Sequence, residues 1–291
     1  MKSVRSLLFA PGDSERKIVK ALGCATDAVI LDLEDSVRPE QRAAARGLCY
    51  ETLSGYTGDK KLFVRINALD TPDALPDLAA VVRGRPYGVM LPKCQSASDL
   101  GQLDHHLSAL EARDNLPVGT ISVLPIVTET GRAMFNLGTY GEGTPRLTGL
   151  LWGGEDLAAD IGAHTNRDAN KKYTPIYELA RTLCLLAATA SRSTAVDAVY
   201  TDFRNSDALR AEAEAAARDG FTAKAAIHPD QIDIINEVFT PTTEQADYAR
   251  RIVAAFQDNG KTTSVAALEG RMLDRPHLIM AQRLLGRLGQ E

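Results

Sequence analysis

Eight short apolar runs, each followed by a stretch with helical spacing, constrain this chain more than any other feature of its sequence. The runs are Ser6–Ala10, Asp27–Leu33, Leu62–Asn67, Tyr87–Leu91, Ile121–Val127, Thr148–Trp152, Val196–Tyr200 and Ala223–His228. VILDL, FVRIN, VLPIV and AAIH lack clean alternation at their starts, as strands buried on both faces do. Between the runs lie helical stretches at Ser14–Leu22, Glu40–Leu53, Asp73–Val82, Ala97–Ala112, Ile176–Ser191 and Asp207–Asp219. Pro39 sits where a first helical turn tolerates it, and Gly220 stands where a helix stops. Eight strand–helix repeats predict a closed parallel (β/α)8 barrel. Such a barrel takes about 250 residues, and the chain has 291. Residues 1–240 are therefore expected to form the catalytic barrel. Residues 241–291 form a C-terminal helical extension, with a helix over Glu244–Gln257, a polar turn at Asp258–Asn259–Gly260 and a final apolar helix. It exceeds what closure needs, so it is expected to cover the site or pack on a neighbouring subunit.

Apolar residues make up 44% of the chain, enough for a sizeable core. Net charge is −5, from 33 basic and 38 acidic residues, which argues against a nucleic-acid partner, because phosphate binding needs a concentrated basic surface. The N-terminal apolar stretch is too short for a signal peptide, and no run approaches the roughly 20 residues of a membrane helix. Cys24, Cys49, Cys94 and Cys184 form no CxxC pair and are expected to be reduced thiols in a cytoplasmic protein. No GxGxxG or GxxxxGK[ST] pattern supports a nucleotide cofactor.

Active sites of such barrels form at the C-terminal strand ends, and here nearly every strand ends in polar or glycine-rich punctuation. Strand two runs into Asp32-Leu33-Glu34-Asp35, strand three gives Arg65 and Asn67, strand four Lys93, strand five Glu129, and strand six Gly153-Gly154-Glu155-Asp156. Carboxylates from adjacent strand ends, Glu129 and Asp156, would lie close enough to share a hard cation that completes its shell with water or substrate oxygens. Each acid taken alone could equally be a helix N-terminal residue favoured by the dipole. Their coincidence with Arg65 and Lys93 favours a metal site. The Arg65 fork matches a substrate carboxylate; the alternative is an internal ion pair to Glu34 or Asp35. Glu34, Lys93, Gly154 and Glu155 are the further expected substrate contacts. His228, followed by Pro229, suits a turn-shaping histidine better than a base or ligand. His105, His106, His164 and His277 have no ligand-like spacing.

In order, the chain contains RSLLFAPG (5–12), DAVILDLEDSV (27–37), VRIN (64–67), MLPK (90–93), TETGRAMFNL (128–137), WGGEDLAADIG (152–162), AKAAIHPDQI (223–232) and VFTPT (238–242). Together these resemble the citrate lyase β-subunit-like proteins of the HpcH/HpaI aldolase and malyl-CoA lyase group, over almost the whole chain. The resemblance implies that Glu129 and Asp156 bind Mg²⁺, with Mn²⁺ also compatible with oxygen ligands. It implies that Arg65 holds a substrate carboxylate. It also implies that Asp274, in EGRMLDRP, is a catalytic aspartate reaching the site of an adjacent subunit in a homo-oligomer, a trimer or hexamer. Gly153-Gly154 replaces the commoner Gly-Ala, and residues 164–172 fall in a variable loop that helps decide substrate.

The implied reaction is reversible carbon–carbon cleavage of a malyl-, citramalyl- or citryl-CoA-like thioester to an acyl-CoA and a 2-oxo acid. The metal would act as Lewis acid and template and Asp274 as the base. Arg5, Arg16, Lys20 and Lys224 are candidates for the CoA phosphates. Thioester hydrolysis, an aldolase reaction on a free 2-oxo acid, and a non-catalytic CoA- or carboxylate-binding subunit are the alternatives.

Overall fold

The computed structural model describes residues 4–142, 144–258 and 265–289. The chain falls into two compact units, Arg5–Glu237, and Val238 onward together with the residues before Arg5. In the first unit the strands are β1 (Ser6–Pro11), β2 (Ala28–Asp32), β3 (Lys61–Arg65), β4 (Gly88–Leu91), β5 (Ser122–Pro125), β6 (Gly149–Leu151), β7 (Thr194–Asp197) and β8 (Ala223–Ala226). Between them run α1 (Glu15–Gly23), α2 (Arg42–Gly55), α3 (Ala74–Val81), α4 (Ala97–Arg113), the short α5 (Gly131–Met134) and α6 (Glu155–Asp160), α7 (Pro175–Ala190) and α8 (Ser206–Asp219). After β8 comes α9 (Ile232–Val238), within whose last turn the unit ends at Glu237.

All eight strands are parallel, in the order β5-β4-β3-β2-β1-β8-β7-β6. The two ends meet through bridges Val123–Leu147 and Ile126–Leu151. There Thr148 N–H donates to Val123 O at 3.0 Å and Val127 N–H to Leu151 O at 2.9 Å. The sheet thus closes into the expected (β/α)8 barrel. Every residue of β2, β4 and β8 is buried, which is why these strands carry apolar runs rather than alternation.

Strand ends shift for local reasons. β3 stops at Arg65 because the Asn67 N–H turns away to the Asp77 carboxylate, at 2.8 Å. β8 stops at Ala226 because the N–H groups of Ile227 and His228 both donate to the Gln231 side chain. β7 begins and ends earlier than its apolar run suggests, since its last ladder pair is Asp197 with Lys224 and Ala198–Tyr200 leave the sheet.

The β5–β6 seam is clamped from outside. The Arg146 guanidinium donates to both Glu111 oxygens, at 2.8 and 2.7 Å, and also pairs with Asp104. Glu111 further accepts the N–H groups of Gly119 and Ile121, each at 2.8 Å. Burial pushes the Glu111 carboxyl up, but Arg146 and the backbone donors outweigh it and hold it below its ordinary value.

The second unit contains α10 (Thr243–Asp258), β9 (Val265–Leu268), β10 (Arg271–Asp274) and α11 (Arg275–Arg287). Helices α10 and α11 flank a tight antiparallel hairpin at LEGR, a strand pair within the extension that was expected to be helical overall. Its two-residue turn, Glu269-Gly270, has φ of 52° and 75°. That is the pair of left-handed residues a twisted two-residue hairpin needs. Ala249 and Ile252 of α10, Leu273 of β10, and Ala281 and Leu285 of α11 form its core. Asn259 and Gly260 of the expected turn lie outside the described residues. Among the described residues no helix is long and apolar enough to cross a membrane.

Glu111→Ala leaves the Arg146 guanidinium buried without its main counterion, so the substitution should cost about 3–5 kcal/mol at neutral pH. Because the folded Glu111 value is lowered, the stability it contributes is complete above its unfolded value of about 4.3. It is lost as pH falls through the folded value. Urea unfolding of both proteins at pH 7 and pH 4 measures this; equal stability at pH 7 contradicts the clamp.

Candidate active site

Residues at the ends of β2, β3, β5 and β6 converge on one cavity of about 440 Å³ at the C-terminal mouth of the barrel. Its charged lining is Asp32, Asp35, Arg65, Glu129, Glu155 and Asp156, with Gly153 and Gly154 beside them in the chain. Its apolar and aromatic lining includes Ile126, Leu151, Trp152, Tyr173, Ala198 and Val199, together with Phe9, Pro11 and Ile227.

Arg65 and Asp32 are register partners on adjacent strands. Both side chains therefore point the same way, and they meet as a two-pronged pair: Nε to Oδ1 at 2.7 Å and Nη2 to Oδ2 at 2.8 Å. Arg65 Nη1 also lies 2.9 Å from Glu34 Oε2 and 3.4 Å from Asp35 Oδ2. The Glu34 contact is an ion pair without hydrogen-bond alignment, and that oxygen accepts no hydrogen bond. The internal ion pair expected as the alternative for Arg65 is thus present, and its principal partner is Asp32, a residue the sequence reading did not single out. Asp32 also accepts the N–H groups of Glu34 and Ser36. Burial pushes the Asp32 carboxyl up, but the Arg65 hydrogen bonds and charge hold it below the usual carboxylate range.

Lys93 follows β4 in a left-handed backbone conformation, φ 51°. A non-glycine residue there is strained by the order of 1 kcal/mol or more, and the surrounding contacts hold it. Its N–H donates to Glu129 Oε2 and its ammonium to Glu34 Oε1. The same ammonium lies 3.1 Å from Asp156 Oδ1. One residue therefore ties the strand-two, strand-five and strand-six acids together. Glu129 is buried; burial, and then the charge of Asp156, push its carboxyl up to about 8, against the opposing pull of the Lys93 N–H and ammonium. Gly153 gives Glu129 its room: a Cβ there would meet Glu129 Cγ at 3.0 Å and Ile126 Cγ2 at 3.2 Å. Gly154 begins α6, whose first turn carries Glu155 and Asp156; the Asn166 side chain donates to Glu155 at 2.8 Å.

Glu34, Arg65, Lys93, Glu129, Gly154, Glu155 and Asp156 are thus brought together around one mouth. Asp274 belongs to the C-terminal unit, where it caps α11 and pairs with His277. A second cavity of about 390 Å³ shares Phe9, Pro11 and Ile227 with the first and is lined by Arg16, Lys17, Lys20 and His228. His228 shapes the turn after β8: Nδ1 accepts the Asp230 N–H, and the ring stacks on Phe203 at 4.6 Å.

Two of the four phosphate candidates are corrected. Lys224 is fully buried and donates to Asp197 at 2.6 Å and Glu212 at 3.1 Å. Arg5 precedes β1, at the end of the barrel opposite the cavity, and grips Asp27 through Nε and Nη2, both at 2.8 Å.

The profile of the HpcH/HpaI aldolase/citrate lyase family matches residues 5–229. The chain is 34% identical to a (3S)-malyl-CoA thioesterase of Cereibacter sphaeroides over 97% of its length and 94% of that protein. It is 32% identical to the mitochondrial citramalyl-CoA lyase of Rattus norvegicus, over 97% of this chain and 85% of that one. In structure it is similar to the CitE protein of Mycobacterium tuberculosis in complex with magnesium, acetoacetate and coenzyme A. The TM-score is 0.80 at 34% identity, covering 99% and 98% of the two chains.

Asp32→Ala strips Arg65 of its two-pronged partner while Glu34 and Asp35 remain beside it. The expected cost is at the low end for a broken buried pair, about 3 kcal/mol, read by urea unfolding at neutral pH. A variant as stable as the parent contradicts the central place given to this pair.

Proposed function

The chain belongs to the HpcH/HpaI aldolase/citrate lyase family, and we propose that it is a Mg²⁺-dependent carbon–carbon lyase. Its substrate is a β-hydroxyacyl-CoA of the malyl, citramalyl or citryl type, cleaved to, or formed from, an acyl-CoA and a 2-oxo acid. The observation that carries this reading is the shared cavity of Glu129, Asp156 and Arg65.

The donor chemistry fits the metal. Glu129 and Asp156 would hold the ion with two hard carboxylate oxygens, leaving the remaining positions to water and substrate, as magnesium prefers. The glycine at 153 keeps space for the Glu129 carboxylate. When bound, the ion supplies Lewis acidity at the 2-hydroxy or 2-oxo oxygen and a template for the neighbouring carboxylate.

The rest is done by side chains. Arg65, fixed in direction by Asp32, presents its remaining N–H groups to the substrate carboxylate and so sets its orientation. Lys93 keeps Glu34 and Asp156 from repelling one another. The apolar and aromatic lining keeps water from the carbanion-like α-carbon of the departing thioester. Asp274, supplied by a neighbouring subunit, would give a proton to that carbon in cleavage while the substrate hydroxyl loses its own proton to solvent, and both transfers reverse in condensation. The adjoining cavity with Arg16, Lys17 and Lys20 suits the CoA phosphates. Thioester hydrolysis is the second reading, favoured by the likeness to a malyl-CoA thioesterase.

Asp156→Ala should abolish Mg²⁺-dependent turnover of citramalyl-CoA or malyl-CoA, lowering kcat by at least ~10²-fold. Unchanged turnover contradicts the site. Coexpression of Asp156→Ala chains with Asp274→Ala chains should restore activity that neither variant has alone. Failure of mixed oligomers to recover it contradicts the contribution in trans.

A further inference from the structure

Asp274 is the group that would carry the carbon-bound proton, and its immediate neighbour is an imidazole. Leu273 of β10 turns into the core of the C-terminal unit with Ala281 and Leu285 of α11. Successive strand residues point to opposite faces, so Asp274 turns outward. α11 starts at the next residue, and Pro276 presets the backbone of its first turn. His277 follows on that turn. Residues three apart on a helix are neighbours, and the ring of His277 returns to Asp274. Its Nδ1 pairs with Asp274 Oδ1 and lies 3.3 Å from the Asp274 backbone nitrogen, whose N–H it accepts. Both side chains are half-exposed.

α11 packs on α10 and β10. Asp247 and Arg250 of α10 pair with one another, and Arg251 pairs with Glu269 of the hairpin turn. Glu244 and Tyr248 of α10, Arg271 of β10 and Arg275 of α11 itself make no ion pair or hydrogen bond with His277. Among the described residues Asp274 is thus the one charged group in contact with the imidazole.

Capping alone does not call for an imidazole there, since glutamine or glutamate at the third helical position accepts the same backbone N–H. Proton supply does. A free carboxylic acid is protonated only about once in a thousand at neutral pH, whereas a free imidazole carries its second proton roughly a quarter of the time. An acid that protonates carbon at neutral pH therefore works faster beside a group that holds the proton in reserve.

We infer that His277 is the positioning residue of Asp274 and the route by which its proton exchanges with solvent. This rests on the reading of Asp274 given above and deepens it. In cleavage the Nδ1–H bond of the imidazolium breaks as an O–H bond forms on Asp274 Oδ1. That O–H bond breaks in turn as the C–H bond forms at the α-carbon. The neutral imidazole keeps its Nε2 proton, takes one proton from water at Nδ1 and is imidazolium again. Condensation runs the same transfers backwards.

The test is the Mg²⁺-dependent cleavage assay with citramalyl-CoA and malyl-CoA, on the full chain, as a function of pH. His277→Gln keeps an acceptor for the Asp274 N–H but cannot carry a proton. It is expected to match the parent in urea unfolding, to lose kcat at least about tenfold at pH 7 and to keep its KM. The parent kcat should fall as pH rises through the range in which an imidazole titrates, and that limb should be missing from His277→Gln. His277→Ala should regain turnover when imidazole is added to the buffer, which a lost cap would not. His277→Gln with the parental kcat and pH profile, or His277→Ala that imidazole does not rescue, overturns the inference and leaves Asp274 in its role. A parent protein that releases no 2-oxo acid, or Asp274→Asn turning over as fast as the parent, overturns the reading of Asp274 and the inference with it.

Discussion

The Asp32–Arg65 pair is the contact on which the mouth of this barrel depends. Parallel register sets the two residues side by side at the ends of β2 and β3, and the barrel then crowds Glu34, Asp35, Glu129 and Asp156 around them. Like charges at such a mouth repel, and burial penalises each ionised form. Arg65 neutralises the β2 side and Lys93 bridges to the β5 and β6 side. Without this pair of cations the repulsion among the acids would go unopposed; even with it, burial and Asp156 hold the Glu129 carboxyl above its ordinary value.

Fixed geometry recurs at the aromatic lining, by different means. There the apolar faces of Trp152 and Tyr173 are set by charges placed behind them rather than within the cavity. Asp197 is fully buried, yet its carboxyl is held low: burial pushes it up, and Lys224 and Arg181 more than compensate. A buried lysine in β8 and a buried aspartate in β7 are therefore two halves of one device, which stiffens the loop after β6. The result is a cavity whose lining combines charged groups with apolar and aromatic ones, a combination suited to binding an anionic head beside an apolar carbon.

Much of this was legible in the sequence. Eight apolar runs placed eight strands, because strands buried on both faces lose their alternation and stand out as blocks. The acids and the lysine at strand ends were legible for the same topological reason, since every parallel strand delivers its C-terminal residue to one face. The rest required neighbours that sequence spacing does not reveal. Asp32 was passed over in favour of Glu34 and Asp35, although its position at the end of β2 matches that of Arg65 at the end of β3, and that alignment was the available signal. Lys224 read as a surface cation because a lysine in an AKAA strand is buried only when Asp197 and Glu212, distant in sequence, are in place to receive it. The Glu269-Gly270 hairpin was missed because glutamate at the first left-handed position is a weaker turn signal than asparagine or aspartate would be.

The measurement that bears most directly on the central claim is a product assay with malyl-, citramalyl- and citryl-CoA, with and without Mg²⁺, in which 2-oxo acid and free CoA are quantified separately. The expected result is Mg²⁺-dependent release of a 2-oxo acid with an equal amount of acyl-CoA and no free CoA. Release of free CoA without 2-oxo acid would contradict carbon–carbon cleavage and identify the same cavity as a site of thioester hydrolysis.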